Sequence, residues 1–338
     1  MVGKQVLLAR WLDKAGVTRA RLRHGPNGLT ILAYHRIQDL VDESRFAADP
    51  ELVSASVAEF RRQLAFLREH WNPIGLSNAM DVIERGQPLP PRSVAVTFDD
   101  GHLDNYTHAY PLLREMGVPA TIFLSTQYIG SRDAFWFDRV STLLFCAPAG
   151  NLRLALADVT LALGDVASRR AASDRLLAVL KRMADERRHE ALRELEALLG
   201  RHAAAADAGP ASALDWDQVR EMSRHGIEFG SHTVTHPVLS MQTEDRVRFE
   251  LSQSRATIRR ETGQPADLLA YPVGKTYTFN ERVVAIAKEC GYRAALAYID
   301  GVNDPARADR FALKRIAVER YIPHPLFMAR MAFPGIFV

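Results

Sequence analysis

Cysteine is scarce in this chain. Two occur among 338 residues, Cys146 and Cys290, and they form no Cys-x-x-Cys pair, so thiolate zinc sites and dithiol redox chemistry are excluded and both are expected as reduced, buried thiols. A surplus of one charge is also missing, with 43 Lys and Arg against 40 Asp and Glu for a net charge of +3. The two signs are interspersed, so there is no basic footprint for nucleic acid. Long hydrophobic runs are lacking as well. The first apolar stretch, Val6-Leu7-Leu8-Ala9, is cut by Arg10, Asp13 and Lys14 short of signal-peptide length. No later run is long and uncharged enough to span a bilayer. The expected address is the cytoplasm, either free or associated with a membrane. What is present, 47% hydrophobic and 25% charged residues, is ordinary for a globular protein with one large core or one core plus an appendage.

Residues 4–23 read as a short basic helix with Val6, Leu7, Trp11 and Leu12 available to one face. Docking on its own domain is the first expectation, and peripheral contact with a membrane surface the second. Gly25-Pro26-Asn27-Gly28 closes this leading segment, residues 1–28. Leu29-Thr30-Ile31-Leu32-Ala33-Tyr34 is then the near-continuous apolar run of a strand covered on both faces. Helical stretches at 54–70, 77–86 and 107–116 alternate with apolar runs at 93–98 and 120–124. Further strands are expected at 227–230, 268–271 and 293–298, with amphipathic helices at 244–262 and 280–290. This alternation predicts an α/β fold with a parallel sheet, open or closed into a barrel.

The rhythm breaks in the middle. Residues 151–163 alternate like a small hairpin, 166–201 carry Leu192, Leu195 and Leu199 at helical spacing, and 203–210 form an Ala-rich linker. Residues 138–212 are therefore read as a mostly helical insertion in a discontinuous main domain, 29–137 and 213–335. Asp215 followed by Gln218 marks the return as a capping box.

Polar residues end the apolar runs: His35, the adjacent Asp99 and Asp100 before Gly101, His232, and Tyr271-Pro272. In a βα barrel these strand ends converge on one face. Two imidazoles and a carboxylate suit a divalent metal with an open position for water, and a second carboxylate suits a base. Successive strand residues point to opposite sides, so both carboxylates reach one site only if the chain bends there, as Gly101 permits. His232 and His236, at i and i+4, would face the same way across one helical turn. His35 is read either as a satisfied core histidine or as a proton donor to a departing amine.

Thr97-Phe98-Asp99-Asp100-Gly101 together with Ser231-His232-Thr233-Val234-Thr235-His236-Pro237 resembles the polysaccharide deacetylases of carbohydrate esterase family 4. The resemblance spans about 29–133 and 213–320. It implies a distorted (β/α)7 barrel of TIM-like form that removes N- or O-acetyl groups from sugars. It also implies Asp99 as the base and Asp100, His232 and His236 as metal ligands. The family's third motif, an arginine shortly before Pro-Tyr, is altered here to Leu269-Ala270-Tyr271-Pro272-Val273-Gly274, which resembles the branch acting on exopolysaccharides. In its permuted members the catalytic histidine lies in a Tyr-His pair after the first strand, a pattern that Tyr34-His35 fits. Tyr271 and Pro272 then fall on the substrate side, with an oxyanion donor expected from a backbone N–H after Tyr271.

No arginine precedes Tyr271, so the group orienting Asp99 is left open, with Arg315 either filling that role or serving as an ordinary ion-pair partner. Ile322-Pro323-His324 loosely echoes a late Leu-x-His motif, which makes His324 the reserve acid. Trp136, within Phe135-Trp136-Phe137, either stacks on a sugar ring or anchors the insertion.

The reading expected from these residues is a metal-dependent N-deacetylase acting on a polysaccharide, an oligosaccharide or a lipid-linked precursor. Zinc suits the donor set, and cobalt, nickel or manganese would also fit. Two alternatives stand beside it. One is a related barrel acting on a small amide or cyclic ureide, favoured by a closed pocket; an open groove lined by Trp136 would favour glycan. The other is a carbohydrate-binding barrel without catalysis, which would not need the spare carboxylate.

Overall fold

The computed structural model describes residues 2–23, 25, 28–40, 46, 48–204 and 213–337. Pro26 and Asn27 of the expected turn and most of the 203–210 linker lie outside the described residues. Among the described residues seven parallel strands form a distorted barrel: β1 (Leu29–Tyr34), β2 (Ser93–Phe98), β3 (Ala120–Leu124), β4 (Glu228–Ser231), β5 (Leu268–Ala270), β6 (Ala294–Leu296) and β7 (Ile316–Ala317), in the order β6-β5-β4-β3-β2-β1-β7, with the two-residue strand Asn72–Pro73 pairing off this path on β2. Every residue of β1, β2 and β3 is buried, because helices cover one face and the barrel interior the other, which is why these strands read as continuous apolar runs. β7 was not visible as a run of its own, since two residues carry no period. It nonetheless completes the barrel: Ile316 and Ala317 pair with Leu32 and Ala33 of β1, while Leu313 of the same segment bridges Leu296 of β6.

Register positions the site. Tyr34 lies opposite Phe98, and Leu124 opposite Ser231. The residues that follow, His35, Asp99 and His232, therefore emerge together at the carboxyl end of the barrel.

Several expectations change in detail. The leading helix is two, α1 (Val2–Lys14) and α2 (Val17–Leu22), because Gly16 takes a left-handed φ of 73° between them. The 107–116 helix begins with a π-helical turn, Asn105–Ala109, before Tyr110–Met116. Cys146 and Cys290 are free thiols but only partly buried.

Between β3 and β4 the chain forms the helix Trp136–Cys146, the hairpin Gly150–Leu154 and Val159–Leu163, and the helices Val166–Leu180 and Asp185–Ala204. The hairpin alternates buried Val159, Leu161 and Leu163 with exposed residues, and its apolar face joins Leu176, Leu180, Leu195 and Leu199 in a cluster continuous with the barrel core. Asp165 caps the third element by accepting from Ser168 N. At the return, Asp215 and Gln218 form both bonds of the expected capping box.

Candidate active site and metal centre

Asp99 and Asp100 leave β2 in succession. Asp100 holds φ at 74° and Gly101 at 85°, a left-handed bend that swings the second carboxylate to the same side as the first. A side chain on Gly101 would meet Leu124 Cδ2 at 2.6 Å, so only glycine fits the bend. Both carboxylates are buried.

They have different partners. Asp99 receives a two-pronged ion pair from Arg315, Nη1 to Oδ1 and Nη2 to Oδ2 at 2.8 Å each. Arg315 is itself buried and further fixed by donating from Nε to Ala297 O at 3.1 Å. Burial pushes the Asp99 pKa upward, but Arg315 and the nearby histidines outweigh it and hold the carboxyl below 3.8. Asp100 Oδ2 accepts from His102 Nε2 at 3.1 Å, while its Oδ1 faces His232 Nε2 at 3.5 Å and His236 Nε2 at 3.3 Å. Against the cost of burial, His102 and the two other imidazoles hold Asp100 well below 3.8.

The donor set fits a divalent cation. One ligand atom each from Asp100, His232 and His236 lies within 4.8 Å of the others. His232 donates from Nδ1 to Ala270 O at 2.8 Å, which in the neutral ring leaves Nε2 as a lone pair. Burial lowers the His236 pKa to about 3, keeping that ring neutral too. Asp100 Oδ1 is buried without a hydrogen-bond partner. Asp100 Oδ1 and the His232 Nε2 lone pair thus converge beside the neutral His236 ring, and neither Asp100 Oδ1 nor His236 Nδ1 has a hydrogen-bond partner, a pattern that a bound metal would complete.

The two histidines are not on a helical turn. His232 follows β4, and the chain then loops with left-handed φ at Thr233 (71°) and His236 (56°). Glu250, fully buried on the helix Glu244–Thr262, fastens this loop: Oε2 accepts from Val234 N at 2.7 Å and Thr235 N at 2.9 Å, and Oε1 from Thr235 Oγ1 at 2.7 Å. Sequence reasoning passed over Glu250. Its signal was a carboxylate on the apolar face of a helix, among Val247, Leu251, Ser254 and Ile258. His102 was passed over as well, although it directly follows the motif.

His35 lines the same cavity as Asp99, Asp100, His232 and His236. Burial lowers its pKa below 6.5, against the upward pull of Asp100 and Asp99. Its ring lies 5.6 Å from that of Tyr298, and Ser54 and Asn105 hold its backbone. Tyr271 is buried, stacked on Phe279 at 4.2 Å, and donates its hydroxyl to Phe311 O, so it packs instead of facing substrate. Pro272 has no N–H, and the first amide after Tyr271 that could serve an oxyanion belongs to Val273, a cavity residue with φ 62°.

Two further expectations are corrected. Trp136 is 8% exposed, donates from Nε1 to His236 O at 3.2 Å and lies under Arg188. It anchors the start of the helix Trp136–Cys146 against the histidine loop and is too buried to offer a face to a sugar. His324 pairs with Glu59 at 3.1 Å and packs on Phe66, away from the cavity, so it cannot serve as the acid there. The chain between β3 and β4 instead contributes Lys181, which lines the cavity with Lys275, Glu51 and Glu319. The cavity volume is about 180 Å³, below the roughly 300–1,000 Å³ of pockets that enclose drug-sized ligands.

A barrel with two imidazoles and a carboxylate at its carboxyl end, and a second carboxylate beside them, defines a metal-dependent hydrolase centre. The polysaccharide deacetylase family model matches residues 86–295, more than half of the chain, and the chain belongs to that family. It is 22% identical over 298 residues to the putative polysaccharide deacetylase YxkH of Bacillus subtilis, covering 87% of this chain and 72% of that protein. It is 32% identical over 127 residues to the poly-beta-1,6-N-acetyl-D-glucosamine N-deacetylase of Staphylococcus epidermidis, covering 36% of this chain and 44% of that one. Among solved structures, the deacetylase PplD of Streptococcus pyogenes in complex with acetate aligns over 91% of this chain and 99% of its own at 18% identity and a TM-score of 0.60. IcaB from Ammonifex degensii aligns over 91% and 97% at 19% identity and 0.59. These structural likenesses carry the fold, a distorted (β/α)7 barrel.

Proposed function

We propose that this chain removes N-acetyl groups from an N-acetylated sugar, with Asp100, His232 and His236 holding the metal and Asp99 acting as base. The observation that carries the reading is the different partnering of the two adjacent carboxylates: one is bound to Arg315, the other faces two imidazoles. Zinc suits this donor set, with cobalt, nickel or manganese as substitutes. A bound cation would polarise the acyl group and make water a competent nucleophile near neutral pH.

The chain's own residues supply the rest. Asp99, kept ionised by Arg315, takes the proton from the attacking water. His35 donates a proton to the departing amine, and its lowered pKa places this step's alkaline limit below that of a free histidine. Val273 N–H is the backbone donor available to the developing oxyanion. A cavity of about 180 Å³ suits a small acyl-bearing group better than a long stretch of polymer. The same volume gives the small-amide reading its one supporting feature, but the relatives reported above are deacetylases by name. Polymer, oligosaccharide and lipid-linked sugar all present the unit required, and a cytoplasmic location would favour the precursors. We place the insertion at 138–212, between barrel segments 29–137 and 213–335.

Acetate release from N-acetylated oligosaccharides and from lipid-linked sugars tests the reading, using protein as purified, chelated, and chelated then given zinc or cobalt. Release that vanishes on chelation and returns with metal is expected. Stoichiometric metal binding without acetate from any of these would turn the reading to the small amide.

A further inference from the structure

The first two helices carry a feature the catalytic site does not use. α1 has two faces. Val6, Ala9 and Leu12 turn inward and pack with the core, against the helix His324–Ala332. One turn around the same helix, Leu7 (67% exposed), Leu8 (45%) and Trp11 (64%) form an outward apolar stripe at the i, i+1 and i+4 positions that share a helical face. Lys4, Arg10 and Lys14 are exposed around it.

Charge singles out the same segment. Residues 1–23 contain six Lys and Arg and a single acid, Asp13, whereas 37 basic and 39 acidic residues make up the remainder. The chain's entire positive balance therefore sits on α1 and α2, and the rest is slightly acidic. A solvated face needs no tryptophan and two leucines, and a protein groove alone does not call for the ring of cations. An outward stripe of Leu and Trp within a basic rim matches an interface of acyl chains and anionic headgroups, where each Lys or Arg near the surface adds attraction and Trp sits at the headgroup level.

We propose that the outer face of α1 docks on an anionic phospholipid bilayer, holding the barrel at a membrane surface. The inner face keeps the helix folded on the domain, so docking requires no unfolding. The inference stands on residues outside the catalytic cavity and is independent of the deacetylase reading.

The full chain is sedimented with vesicles of phosphatidylcholine alone or mixed with phosphatidylglycerol. Binding to the mixed vesicles, weakened by salt and absent from phosphatidylcholine alone, is expected. The Leu7→Ser/Trp11→Ser variant and the Lys4→Glu/Arg10→Glu variant should each partition at least about tenfold less, with unchanged thermal transition and unchanged acetate release from a soluble substrate. Should the serine pair misfold, quenching by brominated lipid decides instead: it is strong in the native chain and largely lost in Trp11→Phe. Equal sedimentation of the native and serine-pair chains overturns the proposal. So does a dimer in the absence of lipid that Trp11→Ser dissociates, which would make the stripe a contact between copies.

Discussion

On the β2–β4 side of the cavity each functional side chain belongs to a short contiguous motif, whereas on the β7 side Arg315 reaches Asp99 across 216 residues of sequence. The first side is local chemistry. The bend at Asp100 and Gly101 and the loop from His232 to His236 are set by the residues themselves and by one clamp, Glu250. The second side exists only once the barrel closes, because Arg315 sits between Leu313, which bridges β6, and Ile316, which pairs with β1. The residues proposed as ligands are thus placed by local sequence, while the partner of Asp99, the proposed base, is supplied by closure.

The largest effect expected from disturbing the local side is in His232→Ala, which removes a proposed ligand and the ring held by Ala270. Metal content and acetate release should both be abolished, and retention of stoichiometric metal would contradict the ligand set. Next comes the closure side. Arg315→Met leaves Asp99 buried without its partner, and breaking such a pair costs about 3–5 kcal/mol, readable as a lowered denaturant midpoint. The sign for activity follows from the same contact. Arg315 holds the Asp99 pKa down, so without it burial pushes the pKa up and the acid limb of the pH–rate profile moves to higher pH. An unshifted limb would show that Asp99 is not the base.

That asymmetry also explains what could be read before the fold was known. Asp99, Asp100, His232 and His236 were legible because strand ends in a barrel converge and the four residues fall at such ends. His35 was legible for the same reason, after the first strand. Arg315 could be named but not placed, since a two-residue strand has no hydrophobic period. The histidine spacing suggested a helical turn, yet left-handed residues at 233 and 236 achieve the convergence instead. Trp136 could be read either as a stacking face or as an anchor, and His324 as a reserve acid, because the burial of a ring depends on what the rest of the chain packs against it.

A smaller effect is expected at Glu250. Glu250→Gln keeps the shape of the clamp but loses its charge, and residues that support metal ligands commonly alter affinity by about 10–100-fold. Competition with a chelator should show weaker metal binding while turnover at saturating metal changes little. Unchanged affinity would make Glu250 a fold residue only.

The smallest expected effect is on the pH dependence of the metal-free protein. His236 falls from 6.5 to about 3 on folding, so the unfolded chain binds a proton that the folded one refuses. Its stabilising contribution is present above pH 6.5 and is lost as pH falls toward about 3. Denaturation midpoints should decline over that window, and the decline should be reduced in His236→Gln. A decline of equal size in the variant would assign it to other groups.

The most direct test pairs Asp99→Asn with Asp100→Asn, measuring bound metal and acetate release in each. Division of labour between adjacent carboxylates predicts that Asp99→Asn retains stoichiometric metal and loses turnover by about 10²–10⁴-fold, whereas Asp100→Asn loses metal and turnover together. Equal metal loss in both variants, or full turnover in Asp99→Asn, would contradict it.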